Sequence, residues 1–374
     1  MRIQRVDPAN RRGVNRFVGF PFRLYSDHPQ WVPPFLHEAR AELDPRRHPF
    51  YQHSEAAFFL ALSEGSVIGR LTVLDNQRYN KLHGERTAWF YHFEAADDCT
   101  VSRALFDAGF DWARSRGLQR IWGPKGLAHT DGQGILIEGF EHRPALGIPY
   151  NYPYYATLIE DAGLESNLDF LSWYMDQEIG LPTRFLEVAE KVKVRRGYRS
   201  LVHHRKEPLR AFLPQVRSIY NDAFKGVQGF VPITEAEILS IADRILSIAD
   251  PELISLLLKG EDLIGFVLAY PDISAALQRC RGRLWPLGWF YLLRELRRTR
   301  WININGMGIL EEYQGLGGNA LLYAELARIL VDHPQYRFAD LVQIQETNLS
   351  IAQEMEALGV RAWKRHRVFQ RSLL

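Results

Sequence analysis

The chain has 374 residues, which is too long for one ordinary hydrophobic core and predicts two domains. Its 46 Lys and Arg residues nearly balance 44 Asp and Glu residues, so charge gives no general attraction to nucleic acid. The two cysteines, Cys99 and Cys280, are far apart in sequence, which argues against a disulfide framework and a cysteine-based metal site. The first residues lack a signal-peptide pattern and no stretch approaches the ~20 apolar residues of a spanning helix, so we expect a cytoplasmic protein without integral membrane association.

The first part of the chain alternates strands and helices. Apolar runs around a Gly-containing turn predict a β-hairpin at residues 58–74. The segment ERTAWFYHF predicts a strand, residues 100–116 a helix, LQRIWGP a strand, and residues 154–162 a helix. Alternation of this kind predicts an α/β fold with mixed sheets.

A long irregular segment, residues 123–155, is rich in Gly, Pro, His and Tyr. Ordered long loops often carry binding residues. Five side chains are candidates for lining a cleft, and surface aromatics packed against proline explain them nearly as well: His129, Asp131, His142, Tyr150 and Tyr152. Beyond it, LPTRFLEVAEKVKVRRG predicts a charged, helical connector at residues 181–197, between a domain at 1–180 and a domain at 198–374.

The second part repeats this plan. Helices are predicted at residues 209–224 and 234–248, a hairpin at 253–270, a strand in TRWININGMGI, a helix at 319–331, a strand in FADLVQIQ and a helix at 348–358. An apolar stretch, LWPLGWFYLL, is flanked by arginines. We expect packing within the chain or across a homodimer interface to cover it, and peripheral membrane contact is the minor alternative.

The two halves share short sequence patterns at one offset. Ile68-Gly69 and Ile264-Gly265 both follow a hairpin turn, and Gly163 and Gly359 both end a helical segment. Each pair is separated by 196 positions, which indicates an internal duplication.

The stretch MGILEEYQGLGGNALL carries the main chemical signal, because a strand leads through a glycine-rich turn directly into a helix. Backbone N–H groups at a helix N-terminus bind anions, and Gly315, Gly317 and Gly318 would permit close approach of a phosphate. A tight turn without a ligand is the alternative for an isolated glycine cluster.

The order of these parts resembles the GNAT acyltransferase superfamily over residues 186–374. Gln314-Gly315-Leu316-Gly317 is similar to the start of its pyrophosphate signature, although Asn319 departs from the usual Gly or Ala. The resemblance implies acetyl-coenzyme A or another acyl-coenzyme A as co-substrate, with no metal. The residues it implies for coenzyme binding are Met307, Ile309, Gln314, Gly315, Leu316, Gly317, Gly318, Asn319, Ala320 and Asn348.

The whole sequence also resembles bacterial proteins built from two tandem GNAT-like domains, through YNDAFKGVQGFVPITEAEI and GPKGLAHTDGQGILIEGFEHRP. The N-terminal copy is degenerate, because Glu94, Asp97 and Asp98 stand near the helix start that corresponds to the glycine turn and would repel a phosphate. This copy either shapes an acceptor pocket or serves as a structural partner.

The function implied is acyl transfer, acetyl in the first instance, to a small-molecule amine by direct attack on the thioester. Glu346 is the candidate base, with Asn303 and Asn305 holding a relay water, and a solvated surface role for Glu346 is equally open. Met355 stands where many superfamily members have a tyrosine acid, which favours acid-independent transfer. The alternatives are a silent acyl-coenzyme A sensor or scaffold, and an aminoacyl-tRNA-dependent transferase, which the near-neutral charge disfavours.

Overall fold

The computed structural model describes residues 1–128 and 131–374, so the candidate His129 lies outside the described residues. Contacts divide the chain into two compact units. The first unit consists of Met1–Leu171, Ser274–Leu292 and Lys364–Leu374, and the second of Ser172–Ile273 and Leu293–Trp363. Units of contact and repeats of sequence are different divisions of a chain, so the domain boundaries at 180 and 198 stay a prediction.

The elements before residue 181 alternate as expected. The strands are β1 (Arg2–Val6), β2 (Glu55–Ser63), β3 (Ser66–Asp75), β4 (Thr87–Ala95), β5 (Arg120–Gly123), β6 (Ile135–Glu138) and β7 (Glu165–Asp176). The helices are α1 (Arg11–Leu24), α2 (Leu36–Ala41), α3 (Gln77–His83), α4 (Cys99–Ser115) and α5 (Tyr155–Asp161).

The elements after residue 181 follow the same plan. The helices are α6 (Thr183–Arg196), α7 (Lys206–Ala211), α8 (Leu213–Ala223), α9 (Glu235–Ile248), α10 (Ser274–Cys280), α11 (Gly288–Leu296), α12 (Gly318–Asp332) and α13 (Leu349–Leu358). The strands are β8 (Tyr198–Val202), β9 (Ile254–Lys259), β10 (Asp262–Pro271), β11 (Trp301–Ile309), β12 (Phe338–Gln345) and β13 (Arg361–Ser372). The predicted mixed α/β fold is confirmed.

The first unit contains the strand order β1-β2-β3-β4-β5-β13, in which only β4 and β5 are parallel. The amphipathic helix α4 covers one face of this sheet, where Leu105 and Phe106 share a core with Leu71 and Val73 of β3. The other face is covered by α1, whose Phe17 is fully buried. Burial of two apolar faces explains why these strands read as nearly continuous apolar runs.

The second unit contains the order β12-β11-β10-β9-β8, in which β11 and β12 are parallel. The predicted connector helix is α6, and it packs against α12. The single helix predicted at 209–224 is wrong in one respect, because it is broken into α7 and α8 at Phe212, two residues before the proline in the first turn of α8.

Each unit carries the same two β-bulges. In the hairpins, Ile68 and Ile264 are the extra residues, and each carbonyl accepts a hydrogen bond from the residue after the third strand, Ala96 or Leu310. In β4 and β11, two residues oppose one on the preceding strand: His92-Phe93 in the first unit and Asn305-Gly306 in the second. The hairpin bulges keep the offset of 196 positions, and the bulges opposite Leu71 and Leu268 differ from it by one residue, which supports the inferred duplication.

Candidate functional site

Strand β11 leads the chain into the glycine turn that the sequence singled out. The main chain leaves the sheet at Ile309, makes a 3₁₀ turn at Glu311–Tyr313 and enters α12 at Gly318. The side chain of Gln314 stabilises the main chain where it leaves the sheet, because its Nε2 donates a hydrogen bond to the carbonyl oxygen of Ile309 at 3.0 Å. The carbonyl of Ile309 therefore accepts one hydrogen bond from within the chain, and the roles of Met307 and Ile309 in coenzyme binding stay predictions.

The three glycines of the turn have different reasons to be glycine. Gly315 and Gly317 have φ angles of 69° and 90°, in the left-handed region that favours glycine. A Cβ on Gly317 would lie 2.7 Å from a methyl carbon of Val192 in α6, and one on Gly318 would lie 2.8 Å from a methyl carbon of Leu257. A Cβ on Gly315 would meet nothing within 4 Å. Two glycines thus permit close packing of α12, and Gly315 is the one that faces open space.

The N-terminus of α12 has the free donors that an anion requires. Its N-cap is Gly317, which has no side chain to accept a hydrogen bond from the first turn. The first N–H groups of any helix lack intrahelical acceptors, and the macrodipole adds partial positive charge there. Residues 318–320 of this turn, Gly318, Asn319 and Ala320, are those predicted to bind the pyrophosphate, and this geometry fits an anion of that kind.

The corresponding helix of the first unit is closed by the chain. Asp98 is the N-cap of α4, and its carboxylate accepts a hydrogen bond from the N–H of Thr100 at 2.8 Å. The predicted placement of a carboxylate at this helix start is confirmed for Asp98. Glu94 does something else, because it forms an ion pair with Arg70 in β3. The contrast between the two helix starts is therefore a contrast between a capped and an open N-terminus.

Two acidic groups near the open turn, Glu354 and Glu311, have partners within the second unit. Asn319 donates from Nδ2 to both carboxylate oxygens of Glu354 in α13, at 3.1 and 3.2 Å. Burial raises the pKa of Glu354, which favours its neutral form. The carboxylate of Glu311 forms an ion pair with Lys225, and the ammonium of Lys259 lies 4.9 Å from the ring centre of Tyr313. These contacts reduce the electrostatic repulsion that Glu311 and Glu354 would exert on a phosphate bound at the turn.

A gap opens between β11 and β12 next to this turn. Their parallel pairing runs from Trp301 opposite Phe338 to Ile304 opposite Leu341, and among the described residues the rest of β11 pairs with β10. The bulge follows immediately, and around the Cβ position of its Gly306 only one atom, of the Phe266 ring, lies within 4 Å. The predicted divergence of these strands is present, with open space at the bulge.

The predicted catalytic residues lie in different environments. Asn303 is 1% exposed, and within the described chain its Nδ2 has no hydrogen-bond partner. Asn305, in the bulge, donates from Nδ2 to the hydroxyl of Tyr270 at 2.7 Å. Glu346 is exposed and directly follows β12. The structure therefore joins Asn305 to a neighbour at the gap, and the catalytic roles of all three residues stay predictions.

Tyr270 is a polar group at the gap that sequence reasoning missed. Burial raises the pKa of its phenol to about 12, so the hydroxyl remains protonated at neutral pH. Because this oxygen accepts from Asn305, its own proton is available to an acceptor on another side. The only sequence signal was a tyrosine near the end of a hairpin strand, which is typical of a core residue.

Asn348 and Met355 both have structural roles in α13. Asn348 is the N-cap of this helix, and its side-chain oxygen accepts from the N–H of Ile351 at 3.3 Å. A contact with the coenzyme, as the resemblance implies, would use the remaining Nδ2 of Asn348. Met355 is 1% exposed, so the thioether at this position is part of the core.

Three of the loop candidates in the first unit form hydrogen bonds with main-chain groups. Tyr150 and Tyr152 donate from their hydroxyls to the carbonyl oxygens of Phe140 and Leu24, at 3.1 and 2.9 Å. Asp131 accepts from the N–H of Ala128 at 2.8 Å. These contacts favour a structural role for the three side chains over a role in lining a binding cleft.

Buried polar side chains occupy the bulge of β4. The Nε2 of His92 lies 3.2 Å from the carboxylate of Glu42, and its Nδ1 lies 3.1 Å from the hydroxyl of Thr72. Burial lowers the pKa of His92 to about 3, so the imidazole is neutral. The second bulge residue, Phe93, is 5% exposed in the core. In the first unit, side chains thus fill the position that is open at Gly306.

The basic residues at 364–367 lie in two different environments. Lys364 and His366 are buried, at 2% and 0% exposed. Arg365 and Arg367 instead share an ion pair with Asp169, at 3.0 and 2.8 Å. Alternating burial along β13 explains the pattern, because successive side chains point to opposite faces of a strand.

Metal and membrane features can be stated for the described residues. Within residues 1–128 and 131–374, no group of three His, Cys, Asp or Glu residues is arranged to hold a metal ion. In the same residues, no helix is both long and apolar enough to cross a bilayer.

Comparison with known proteins identifies relatives along the full chain. No protein-family model matches. Protein YghO of Escherichia coli K12 is 28% identical over 370 residues, which are 97% of this chain and 94% of YghO. The bacterial ceramide synthase of Caulobacter vibrioides is 27% identical over 369 residues, 96% of this chain and 95% of the relative.

Solved structures agree with the fold expected from the resemblance. A tandem GNAT protein from the clavulanic acid biosynthesis pathway has a TM-score of 0.60 at 13% identity and matches 100% of this chain and 99% of its own. A GCN5-related N-acetyltransferase from Sphaerobacter thermophilus has a TM-score of 0.51 at 14% identity, with 99% and 96% covered. The resemblance to the GNAT superfamily is confirmed at the level of the fold, which is a tandem one.

Proposed function

We propose that this chain, which has the tandem GNAT fold, is an acyl-coenzyme A-dependent N-acyltransferase whose donor site is in the second unit. The observation that carries the proposal is the uncapped N-terminus of α12, reached through a left-handed glycine turn at the end of β11 and next to the gap beyond Ile304. An open helix start binds phosphate groups, and a gap between strands admits an extended arm.

The chain's own groups divide the work of holding a donor. The N–H groups of Gly318, Asn319 and Ala320 would hold the pyrophosphate, with Leu316 and Gly315 forming the open side of the turn. The main chain of β11 around Met307, paired with β10 on one side, would pair with the pantetheine on the other. When bound, the donor supplies a thioester, whose carbonyl carbon accepts the attack of an amine.

Catalysis at this site needs positioning more than acid–base groups. Binding two reactants in register contributes much of the acceleration in such transfers. The Asn305–Tyr270 pair would hold an amine or a water at the gap, and Glu346 is the proposed proton acceptor. A thiolate with an ordinary pKa of about 8.5 is a tolerable leaving group, so the buried Met355 does not argue against turnover.

The relatives guide the choice of acceptor and acyl length. The relative named bacterial ceramide synthase makes, by that name, an amide of a long-chain amino alcohol. Full-length similarity to it favours a fatty acyl group and a long-chain amine over the acetyl group expected from sequence. Both acyl lengths belong in the assay, because 27% identity leaves room for a changed acceptor.

The test is a turnover assay on the purified chain. Acetyl-coenzyme A and palmitoyl-coenzyme A are each incubated with polyamines, amino sugars, amino acids and a long-chain amino alcohol, while free thiol is followed and amide is detected by mass spectrometry. We expect thiol release that depends on an amine and equals the amide formed. If coenzyme A binds but no amine elicits thiol release, a silent acyl-coenzyme A sensor or scaffold replaces the enzyme.

A further inference from the structure

A group of apolar side chains around the start of α11 is exposed to solvent. Trp285 is 81% exposed, Leu287 61%, Trp289 48% and Phe290 50%. The sequence-based expectation that packing within the chain covers this stretch is therefore wrong. Together with Arg281 and Arg283, which are also exposed, these residues are called the apolar–arginine surface.

The surface is presented on a fixed base. Leu277 in α10 is 1% exposed, and the neighbouring Gln278 donates from Nε2 to the carbonyl oxygens of Pro29 and Trp31, at 2.7 and 3.0 Å. The carbonyl of Gly282 accepts from the N–H of Leu36 at 2.9 Å. Anchors on both sides of Arg281 hold the segment in place, so the outward apolar side chains are a property of the fold.

Charge distinguishes the possible occupants. Residues 279–292, the part of this stretch that belongs to the first unit, contain three arginines and no acidic residue. A second copy docked face to face would oppose these arginines to the same arginines, because a two-fold interface pairs a surface with itself. A bilayer with anionic headgroups offers the opposite charge to the arginines, an apolar layer to Leu287 and Phe290, and an interfacial zone that tryptophan prefers.

We propose that the apolar–arginine surface docks the protein on anionic phospholipid bilayers, with Trp285 and Phe290 entering the acyl boundary and Arg281 and Arg283 contacting phosphates. The mode is peripheral: the helix lies at the interface and does not span. The proposal does not rest on the acyl-transfer reaction, because it concerns a surface of the first unit and requires no substrate.

The experiment is co-sedimentation of the full chain with vesicles of phosphatidylcholine alone and vesicles that also contain phosphatidylglycerol. We expect binding to the anionic vesicles that weakens in high salt. Arg283→Glu changes two charges and should lower the binding constant roughly 30-fold. Trp285→Ala with Phe290→Ala should lower it at least roughly tenfold. The matched control is Val331→Ala, which removes an apolar side chain, 70% exposed, from α12 and should change nothing.

Thermal unfolding must first show that all three variants remain folded. The proposal is overturned if anionic vesicles bind no better than neutral ones, or if the Trp285 and Phe290 variant binds as wild type does. It is also overturned if ultracentrifugation shows a dimer that this variant abolishes while vesicle binding is absent. Acyl transfer to a soluble amine, measured without vesicles, reports on the proposed function separately.

Discussion

A charged side chain at Gly315 tests the anion site most directly. This residue has a φ of 69°, and a Cβ there would meet nothing within 4 Å. Asp and Asn tolerate the left-handed region better than other side chains. Gly315→Asp therefore places a carboxylate on the open side of the turn, and Gly315→Asn places a side chain of the same shape without charge. Gly317 is unsuitable, because any Cβ there presses against Val192 of α6.

The expected effect follows from the Coulomb interaction between the new carboxylate and a bound pyrophosphate. At about 6 Å, one pair of unit charges costs about 0.7 kcal/mol with the dielectric constant of water and about 2.8 kcal/mol with an effective value of 20. The turn is partly exposed, so we expect about 1–2 kcal/mol, or a five- to thirtyfold loss of affinity for Asp relative to Asn. Both variants should lose the same stability, because both adopt the strained φ.

Calorimetric titration with coenzyme A measures this ratio. Wild type should bind one coenzyme per chain, Gly315→Asn somewhat less tightly, and Gly315→Asp least. The ratio of the two variants should shrink in high salt, because salt screens exposed charges. Equal affinities of the Asp and Asn variants at low salt would refute the placement of the pyrophosphate at this turn.

Four further substitutions probe the proposed site. Glu346→Gln should lower the rate of thiol release, and an unchanged rate would return Glu346 to a surface role. The pKa of Glu354 is raised by burial, so the folded state binds its proton more tightly than the unfolded chain does. The free energy of unfolding should therefore fall as pH rises from the ordinary glutamate pKa, ~4.3, through the raised one. Glu354→Gln should abolish this fall, which denaturant titrations at several pH values would measure. Met355→Tyr overpacks a site that is 1% exposed and should cost about 1–3 kcal/mol in thermal unfolding, without slowing transfer by the folded protein. Gly306→Phe should fill the gap and abolish coenzyme binding in calorimetry, whereas Gly306→Ala should retain it.

Much of the fold could be predicted because its elements obey local rules. The hairpins, the parallel strands and α12 were predicted to within three residues of their observed ends, because apolar runs, turn glycines and helix caps are local signals. The glycine turn could be singled out for the same reason. Asp98 was likewise recognisable as a helix start from its position before an apolar-periodic segment.

Contacts between distant segments were beyond the reach of sequence. The burial of Lys364 and His366 depends on β13 entering the sheet of the first unit, far from its neighbours in the chain. The contact of Val192 with Gly317 depends on α6 lying on α12, which nothing in the α6 sequence specifies. Tyr270 was overlooked because its partner, Asn305, meets it only through the register of β10 with β11. Sequence periodicity predicts which face of a helix or strand is buried. Which other element packs against that face depends on the tertiary structure.

The two bulges give a physical reason why the proposed donor site is expected in only one half of the chain. Both units bulge the strand before the helix within one residue of the same register, opposite Leu71 in the first unit and Leu268 in the second, so the bend of this strand is common to both. In the first unit Phe93 fills the bulge, and Asp98 caps the following helix. In the second unit Gly306 leaves the bulge open, and the helix begins at Gly317 without a side-chain cap. Loss of the site therefore requires no change of fold: a large side chain at the bulge and a carboxylate at the helix start are sufficient, and both also stabilise the copy that carries them.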